Sequence, residues 1–533
     1  MQEMTNGVDQ NGVAGFPLLS EASKLMVDKK LDEAARLTMD HLRRCPNEPR
    51  GLAQLGTIAM QLGALGQAEH FFRLSLKHGA TSPEMKRNLG SILNQQERLD
   101  EALLLFETLL KEEDDPALRV IVAVILDKLG RTEEAMILRQ ALVEQSPENP
   151  FYWIALGHSL RAAGQVEDAI NAYRTAIKAD FECGEAWWGL ASIKAPVFTD
   201  DDVAQMRQAI AVAVDVRNSA PAHFALGRAL HDRGRFAEAF EHYAIGNQQR
   251  ADSIGYDPDE LTAEVAEVER TLNAASINKI PMASPQNDIA IFIVSLPRSG
   301  STLLEQMLGS HAHIEPAGEL PYIPAILRSA MENATKHGKV TVPQLIKNMN
   351  DRQASALGDE YLRRARLHRK TDRPYFIDKL PHNWSNVLFI RRILPQARFI
   401  DIRRAAMDCC FSNFTQSFSS AHASSFVLED VARCYVDYVR FMQHISLNVP
   451  GMVHHVEYER LIENAENELK AVLEYLELGW DPSMLDFHKL GRVVRTPSSE
   501  QVRRPLNRDG MDIWVPYREW LEPLRKTLDG FII

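Results

Sequence analysis

The chain has 533 residues, of which 45% are hydrophobic and 25% charged, and its formal net charge is -12 at pH 7. The composition is that of a folded globular protein, and the length exceeds what a single hydrophobic core supports. The acidic balance disfavours nucleic acids and anionic membranes as partners, because phosphate-rich surfaces attract a surplus of Lys and Arg.

Cysteine usage and the N-terminus bear on the cellular compartment. The five cysteines show no CxxC spacing, which argues against a metal site or a disulfide framework and fits a reducing environment. The first residues, MQEMTNGVDQNGVAGF, lack the basic region and the apolar run of a secretory signal. No window reaches the roughly 18 uncharged apolar residues of a spanning helix. The sequence therefore predicts a cytoplasmic protein without a membrane span.

The first half of the chain contains a repeat. Small residues recur in phase with gaps of 34, 34, 33, 34 and 70 residues, the last being about two units long: Ala34, Ala68, Ala102, Ala135, Ala169 and Ala239. Leu-Gly pairs mark the preceding helices at residues 55–56, 89–90, 156–157 and 226–227. The period and the two-helix pattern resemble the tetratricopeptide-repeat family from about residue 18 to 252. That resemblance implies an α-solenoid.

Such a solenoid has a concave groove, and two interpretations of it stay open. The groove captures a peptide or partner protein, or the repeats serve as a rigid spacer or an oligomerisation surface.

An insertion at about residues 195–219 interrupts the pattern, and its acidic run Asp200–Asp202 predicts a helix start. Residues 271–288 gain Pro, Ser and Asn, which indicates a linker. We therefore predict domains at residues 18–285 and 286–533.

Short apolar runs alternate with helical segments in the second half of the chain. The runs are IAIFIVSL, YFIDKL, RFIDIRR and MVHHVEY, with helices predicted near residues 303–308 and 385–393. Strands that alternate with helices predict a parallel sheet in an α/β domain.

The segment SLPRSGSTLLEQML, residues 295–308, follows the first apolar run and opens a helix. This arrangement is typical of a phosphate cradle, because the amides of residues 299–303 face a bound anion and Gly300 allows close approach. Ser301 and Thr302 add hydroxyl donors. The loop differs from the GxxxxGK[ST] pattern, since Arg298 precedes the glycine, and no acidic Mg²⁺ partner is evident. A kinase or nucleotide triphosphatase is therefore disfavoured.

A second anion-binding pair follows in FIDIRRAAMDCCFSNF, residues 399–414. Arg404 stands at a predicted strand end, and Ser412 lies eight residues later on the next helix. A guanidinium fork with a hydroxyl suits a dianionic phosphate such as a 3'-phosphate.

Together these motifs resemble the sulfotransferases that use 3'-phosphoadenosine-5'-phosphosulfate (PAPS). The PRSGST loop looks like their 5'-phosphosulfate loop, and Arg404 with Ser412 looks like their 3'-phosphate pair. HAHIEPAGELPYIP, residues 311–324, is similar to the tyrosylprotein branch and its bacterial repeat-containing relatives. The resemblance covers roughly 240 residues and implies a P-loop-like, three-layer α/β domain with a parallel sheet.

The resemblance also implies site residues. Glu319 corresponds to the family's base, which suits a phenol of pKa about 10. Lys379 corresponds to the lysine that neutralises the leaving phosphate, a task that Arg298 shares. His382 is a rival base, because small-molecule sulfotransferases use a histidine in a similar segment, and the choice between the two bases stays open.

Later segments resemble the family's cofactor contacts. They imply that Tyr458 lies near the adenine or ribose and that the loop Ser498–Asn507, with Arg503 and Arg504, covers the 3'-phosphate. The cofactor-binding set is thus Arg298, Ser299, Gly300, Ser301, Thr302, Arg404, Ser412, Tyr458, Ser498 and Arg504.

Three positions depart from the family pattern: Ala406 replaces a proline, Gln416 an arginine and Ile513 a lysine. These departures bear mainly on the acceptor. We expect sulfuryl transfer from PAPS to an acceptor hydroxyl, with PAP as product, no metal, and a tyrosine of a peptide or protein as the favoured acceptor. The alternatives are a saccharide, lipid or small alcohol as acceptor, or a nucleotide-binding scaffold without catalysis.

Overall fold

The computed structural model describes residues 17–280, 282–284, 288–336, 338–489, 494, 496 and 501–531. The chain divides into two compact units, one ending at Leu138 and the other starting at Arg139. The second unit contains the later repeats together with the α/β domain. The candidate site therefore lies within one compact unit.

Helices occupy the first half of the chain. They are α1 (Pro17–Val27), α2 (Leu31–Arg44), α3 (Pro49–Gln61), α4 (Leu65–Lys77), α5 (Pro83–Gln95), α6 (Leu99–Glu112), α7 (Pro116–Lys128), α8 (Thr132–Gln145), α9 (Pro150–Ala163), α10 (Val166–Ala179), α11 (Gly184–Ala191), α12 (Asp200–Val212), α13 (Val216–His231), α14 (Phe236–Ile254), α15 (Pro258–Thr271) and α16 (Ala274–Ile277). Neighbouring helices pack in pairs, as in α3 with α4 and α9 with α10. This confirms the predicted helical repeats.

The recurring Leu-Gly pairs have a packing explanation. Each glycine faces an aromatic ring 16 residues further along the chain: Gly56 with Phe72, Gly90 with Phe106, Gly157 with Tyr173 and Gly227 with Tyr243. A Cβ atom at any of these glycines would lie 2.7–2.8 Å from the ring, closer than packing allows. The six in-phase alanines are fully buried. Small residues therefore mark the places where the paired helices meet most closely.

The insertion and the predicted linker each contain a helix. Helix α12 begins at Asp200, and Thr199 caps it by accepting a hydrogen bond from the amide of Asp202 (3.2 Å), which confirms the predicted start. The predicted linker contains the short helix α16, capped by Asn273. The domain division at residues 285 and 286 stays a prediction.

The α/β domain alternates strands and helices. Its elements are β1 (Ile289–Val294), α17 (Ser301–Leu308), β2 (Ile314–Pro316), α18 (Tyr322–Thr335), α19 (Val342–Asn348), α20 (Asp351–Ala365), β3 (Tyr375–Asp378), α21 (Val387–Ile393), β4 (Arg398–Arg403), α22 (Ala406–Phe414), α23 (Leu428–Asn448), β5 (Val453–Glu457), α24 (Tyr458–Glu463), α25 (Ala465–Tyr475) and α26 (Glu522–Thr527). Short 3-10 segments lie at Arg366–His368, Pro381–Asn386, Ser420–Phe426, Pro482–Lys489, Gln501–Arg503 and Val515–Trp520.

The five strands form one parallel sheet in the order β2-β3-β1-β4-β5. Four of them are the predicted apolar runs, whereas β2 was not predicted because only three residues pair. Central β1 is almost wholly buried, as expected for a parallel strand covered on both faces.

Helices cover both faces of the sheet and so complete the predicted three layers. On one face, Ile291 and Ile293 of β1 pack in a core with residues of α17 and α25. On the other face, the ring of Phe292 lies 5.6 Å from Tyr361 of α20 and 5.7 Å from Phe399 of β4. The alternation of side chains along β1 thus joins both helical layers.

The last repeat helices pack directly on the α/β domain. Asn247 of α14 donates to the carbonyl of Phe414 (2.8 Å), and Thr262 of α15 donates to the carboxylate of Asp437 in α23 (2.6 Å).

Among the described residues, none of the helices combines the length and apolar character needed to cross a membrane.

The glycine contacts predict a stability effect. Gly56→Ala places a methyl group against the Phe72 ring, and we expect the free energy of unfolding to fall by about 1–3 kcal/mol. Gly66→Ala in α4 is the control, because a Cβ there meets nothing within 4 Å, and a helical alanine gains up to about 1 kcal/mol. Denaturant titration measures both variants. Equal stability of the two variants would contradict the packing explanation.

Candidate active site

The carboxyl ends of three neighbouring strands meet at one edge of the sheet, where parallel α/β folds bind ligands. β1 leads into the loop before α17, β3 into Lys379, and β4 into Arg404. A cavity of about 1010 Å³ opens at this edge. Residues from the later repeats, the three loops and the C-terminal segment line it.

The loop between β1 and α17 has an unusual backbone. Arg298 and Gly300 adopt positive φ values of 68° and 93°. A Cβ atom at Gly300 would lie 2.4 Å from Cδ2 of Tyr458. Both the conformation and the close approach therefore require glycine. Ser301 and Thr302 begin α17 and line the cavity with Gly300, as expected for a cradle whose amides face an anion.

Arg404 and Ser412 lie on the same cavity as the loop. Arg404 donates through Nη1 to the carbonyl of Arg298 (2.9 Å) and through Nη2 to the carbonyl of Gly510. Its Nε is buried and lacks a hydrogen-bond partner among the described residues. Nε of Arg298 donates to Oγ of Ser412 (3.2 Å). The structure thus brings together the two motifs that the sequence places about a hundred residues apart.

The positively charged guanidinium groups of Arg298 and Arg404 repel each other. Burial lowers the pKa of Arg298 to about 10, and the positive charge of Arg404 adds to the effect. Two cations held this close favour a bound anion, which removes their repulsion. The unsatisfied Nε of Arg404 and the glycine cradle therefore fit a phosphate group.

Glu319 and Lys379 meet because β2 continues alongside β3. The amide of Ala317 donates to Ile377 (2.9 Å), and the amide of Lys379 donates to Gly318 (2.8 Å). This pairing holds Nζ of Lys379 in hydrogen-bond contact with Oε1 of Glu319.

Neighbouring carboxylates stabilise the positive charge of Lys379. Burial works to lower the pKa of Lys379, but the carboxylates of Glu319 and Glu305 outweigh it, so the pKa is raised. Oε2 of Glu305 lies 3.9 Å from Nζ. The sequence analysis missed Glu305, which stands one helical turn after Ser301. Lys379 is therefore a buried ammonium group beside a half-exposed carboxylate.

His382 has a different environment. Its Nε2 hydrogen-bonds Nδ1 of His422 at 2.7 Å, and the two rings stack with centroids 4.7 Å apart. Burial lowers the pKa of His382 to about 4, with a further contribution from His422. His382 is therefore neutral at pH 7, and one of its ring nitrogens is already engaged.

Other predicted residues are distributed around the cavity. Tyr458 lines it, and its ring lies 5.5 Å from the guanidinium carbon of Arg404. Arg504 lines it and pairs with Asp509 (2.7 Å). Ser299 is buried, with Oγ 3.4 Å from Sγ of Cys409, and its side chain does not line the cavity. Ser498 lies outside the described residues.

The repeats contribute residues that the motifs did not indicate. Arg161, Lys194 and Arg228 line the same cavity. Arg503 of the C-terminal segment donates to the carbonyl of Ala162 at the end of α9 (2.9 Å). The two parts of this wall are therefore joined by a hydrogen bond. No local signal in the sequence connects these repeat residues with the loop.

Buried Asp378 precedes Lys379. Its carboxyl accepts hydrogen bonds from Oη of Tyr361 (2.9 Å) and from the amide of Leu320 (3.3 Å), which fixes the chain next to Glu319. Burial raises its pKa to about 8, although these hydrogen bonds act in the opposite direction.

No group of three or more His, Cys, Asp or Glu residues suited to a metal occurs in the described part of the chain.

Fold and site define an α/β domain with a cavity that is lined by cations at the carboxyl edge of a parallel sheet. Residues 290–482 match the sulfotransferase family, and residues 87–150 and 154–193 match the tetratricopeptide repeat. The chain thus joins tetratricopeptide repeats to a domain of the sulfotransferase family.

Curated relatives agree with this assignment. An uncharacterized protein of Aquifex aeolicus is 27% identical over 94% of this chain and 68% of its own length. A putative protein-tyrosine sulfotransferase of Caenorhabditis briggsae is 25% identical over 42% of this chain and 80% of its own length. Protein-tyrosine sulfotransferase 1 of Homo sapiens is 24% identical over 42% of this chain and 63% of its own length. These last two similarities indicate a transferase domain and leave its acceptor open.

The environment of Asp378 predicts a pH effect on stability. The folded state keeps this carboxyl protonated up to a pH of about 8, whereas the unfolded chain releases the proton near pH 4. The folded state therefore binds the extra proton between these values, and this contribution to stability is lost as the pH rises from about 4 to 8. We expect Asp378→Asn to flatten the fall in Tm between pH 5 and pH 8.

The control is Asp359→Asn, the same substitution at an exposed position of α20. It should keep the pH dependence of the wild type. A wild-type slope in Asp378→Asn would show that another group is responsible.

Proposed function

We propose that this protein transfers a sulfuryl group from PAPS to an acceptor hydroxyl, and that tyrosine in a peptide or protein is the favoured acceptor. The observation that carries the proposal is one cavity lined by two different sets of groups. Arg298, Arg404 and Ser412 form one set, and Glu319, which contacts buried Lys379, belongs to the other. Different side chains would thereby bind the anion and remove the proton.

The donor site uses groups suited to a phosphorylated nucleotide. The amides and hydroxyls of Ser301 and Thr302, at the start of α17, bind the 5'-phosphosulfate. Arg404 and Ser412 bind the 3'-phosphate, and the free Nε of Arg404 supports this role. Tyr458 packs against Gly300 and bounds the nucleotide site.

The acceptor loses its proton to Glu319 while its oxygen bonds to sulfur and the bond from sulfur to the bridging phosphate oxygen breaks. Lys379 stabilises the charge that appears on the departing phosphate, and its buried ammonium group needs no reorganisation to do so. Arg298 shares this task. PAPS supplies an activated sulfuryl group, so the protein's contribution is orientation, charge stabilisation and proton removal.

A tyrosine acceptor has chemical and comparative support. A phenol with a pKa near 10 releases its proton to a carboxylate more readily than an aliphatic alcohol does. The Gly318-Glu319 segment resembles that of the tyrosylprotein enzymes, and relatives of that name match 42% of the chain. Tetratricopeptide repeats bind peptides in many proteins, and we assign the repeats here a role in holding the acceptor.

Donor binding tests the nucleotide assignment. By titration calorimetry the wild type should bind 3'-phosphoadenosine-5'-phosphate (PAP) more tightly than adenosine-5'-phosphate (AMP). Ser412→Ala and Arg404→Ala should weaken PAP binding by about 10- to 100-fold, because each removes a hydrogen bond to a charged phosphate.

Because Arg404 also holds two backbone carbonyls, Tm is measured for both variants, and Ser412→Ala gives the answer if Arg404→Ala fails to fold. Equal and weak binding of PAP and AMP by the wild type would remove the PAPS proposal.

Substitutions by glutamine separate the two candidate bases. Glu319→Gln should lower kcat by about 10²–10⁴-fold with the Kd for PAP unchanged, because the amide keeps a hydrogen-bond acceptor for Lys379 but cannot take the proton of the acceptor hydroxyl. His382→Gln, which retains a hydrogen-bonding group toward His422, should change kcat by less than about tenfold. The reverse ranking would assign the base to His382. Tyrosyl peptides, saccharides and small alcohols serve as acceptors in both assays.

A further inference from the structure

Every pair of repeat helices contains a turn that requires a left-handed residue. Glycine occupies it in four repeats, with φ between 71° and 85°: Gly63, Gly130, Gly164 and Gly234. Lys29 and Glu97 occupy it elsewhere, with φ values of 58° and 55°. Lys194 also has a positive φ, 57°, in the connection between α11 and α12. A lysine thus stands where glycine is the least strained residue.

The lysines at these turns differ in what surrounds them. Lys29 is exposed. Lys194 is partly buried and lines the cavity of the candidate active site. Backbone strain at a position that projects a charged side chain into a ligand cavity indicates a functional role for that side chain.

The charges that act most strongly on Lys194 are positive. They are the guanidinium groups of Arg298, Arg228, Arg161 and Arg404. Burial, followed by these four charges, holds the pKa of Lys194 well below its ordinary value. Among the described residues, no carboxylate lies within 4 Å of its ammonium group.

Arg161 has a similar environment. One of its Nη atoms donates to the carbonyl of Ser192 (3.4 Å), and its Nε is buried without a hydrogen-bond partner among the described residues. Arg228, in contrast, pairs with Asp232 at 2.9 Å. Lys194 and Arg161 therefore lack a compensating anion within the described protein.

The α/β domain and the repeats both supply positive charge to the cavity. Arg298, Arg404 and Arg504 come from the α/β domain, whereas Gln416 and Ile513 line the cavity without charge. A 3'-phosphate carries about two negative charges at pH 7. The repeats add Arg161, Lys194 and Arg228 to the cations that can face it.

We propose that Lys194, supported by Arg161, binds the 3'-phosphate of the donor nucleotide, so that the repeats complete the nucleotide site of the α/β domain. This inference rests on the proposed PAPS-dependent function. It assigns the repeat domain a direct part in donor binding in addition to any role with the acceptor. The hydrogen bond from Arg503 to the carbonyl of Ala162 keeps that wall of the cavity in place.

The test compares PAP and AMP binding by calorimetry in the full-length protein. Lys194→Met keeps the length of the side chain and removes its charge, whereas Lys194→Gly also relieves the left-handed backbone. Both should weaken PAP binding at least tenfold and leave AMP binding within about twofold of the wild type. Lys29→Met, the same substitution at an exposed left-handed lysine of the first repeat, should bind both nucleotides like the wild type.

Thermal unfolding separates a ligand-binding role from a structural one. Without nucleotide, removal of one cation from the cluster should leave Tm unchanged or raise it, whereas the increase in Tm caused by PAP should shrink. A lower Tm without nucleotide together with an unchanged PAP-induced increase would overturn the proposal.

The outcomes distinguish the two proposals. If the wild type itself fails to prefer PAP over AMP, the proposed function is wrong. If the wild type shows the preference and both Lys194 variants retain it, only the role of Lys194 is wrong. Equal weakening of PAP and AMP would place Lys194 at the 5'-phosphate and would overturn the assignment to the 3'-phosphate.

Discussion

The cavity depends on the hydrogen bonds that the guanidinium group of Arg404 donates. Its two Nη atoms donate to the carbonyls of Arg298 and Gly510. One side chain at the end of β4 thereby fixes the loop after β1 and the C-terminal segment. The carboxylate of Asp408, one helical turn later, accepts hydrogen bonds from the amides of Asp512 and Ile513 and so also holds the C-terminal segment. Three regions that are distant in the sequence are thus kept around one space.

Two groups of charged residues at the site differ in charge balance. Lys379 has the carboxylates of Glu305 and Glu319 within 4 Å, so its charge is neutralised within the protein. Arg298, Arg404 and Lys194 instead line the cavity as cations that repel one another, and such repulsion is strong where water is scarce. An anionic ligand would relieve that repulsion, which makes this group of cations suited to phosphate.

Local patterns predicted much of this structure. The 34-residue period gave the helical repeats, because glycine and alanine recur where helices meet. Strand ends such as Lys379 and Arg404 followed from apolar runs, since parallel strands end at a common edge. The three-residue strand β2 was missed, because its apolar signal is too short. The choice between Glu319 and His382 also stayed open in the sequence, because both lie beside a strand end and differ mainly in their neighbours.

The sequence by itself determined the repeat, the parallel α/β domain and the phosphate loop around Gly300, because these depend on periodicity and spacing within short segments. Only the tertiary structure decided that Lys194 of a repeat turn lines the same cavity as Arg404, more than 200 residues further along the chain. The physical reason is that packing between distant segments selects neighbours by shape and charge. A turn lysine looks the same in sequence whether it faces solvent, as Lys29 does, or a cavity.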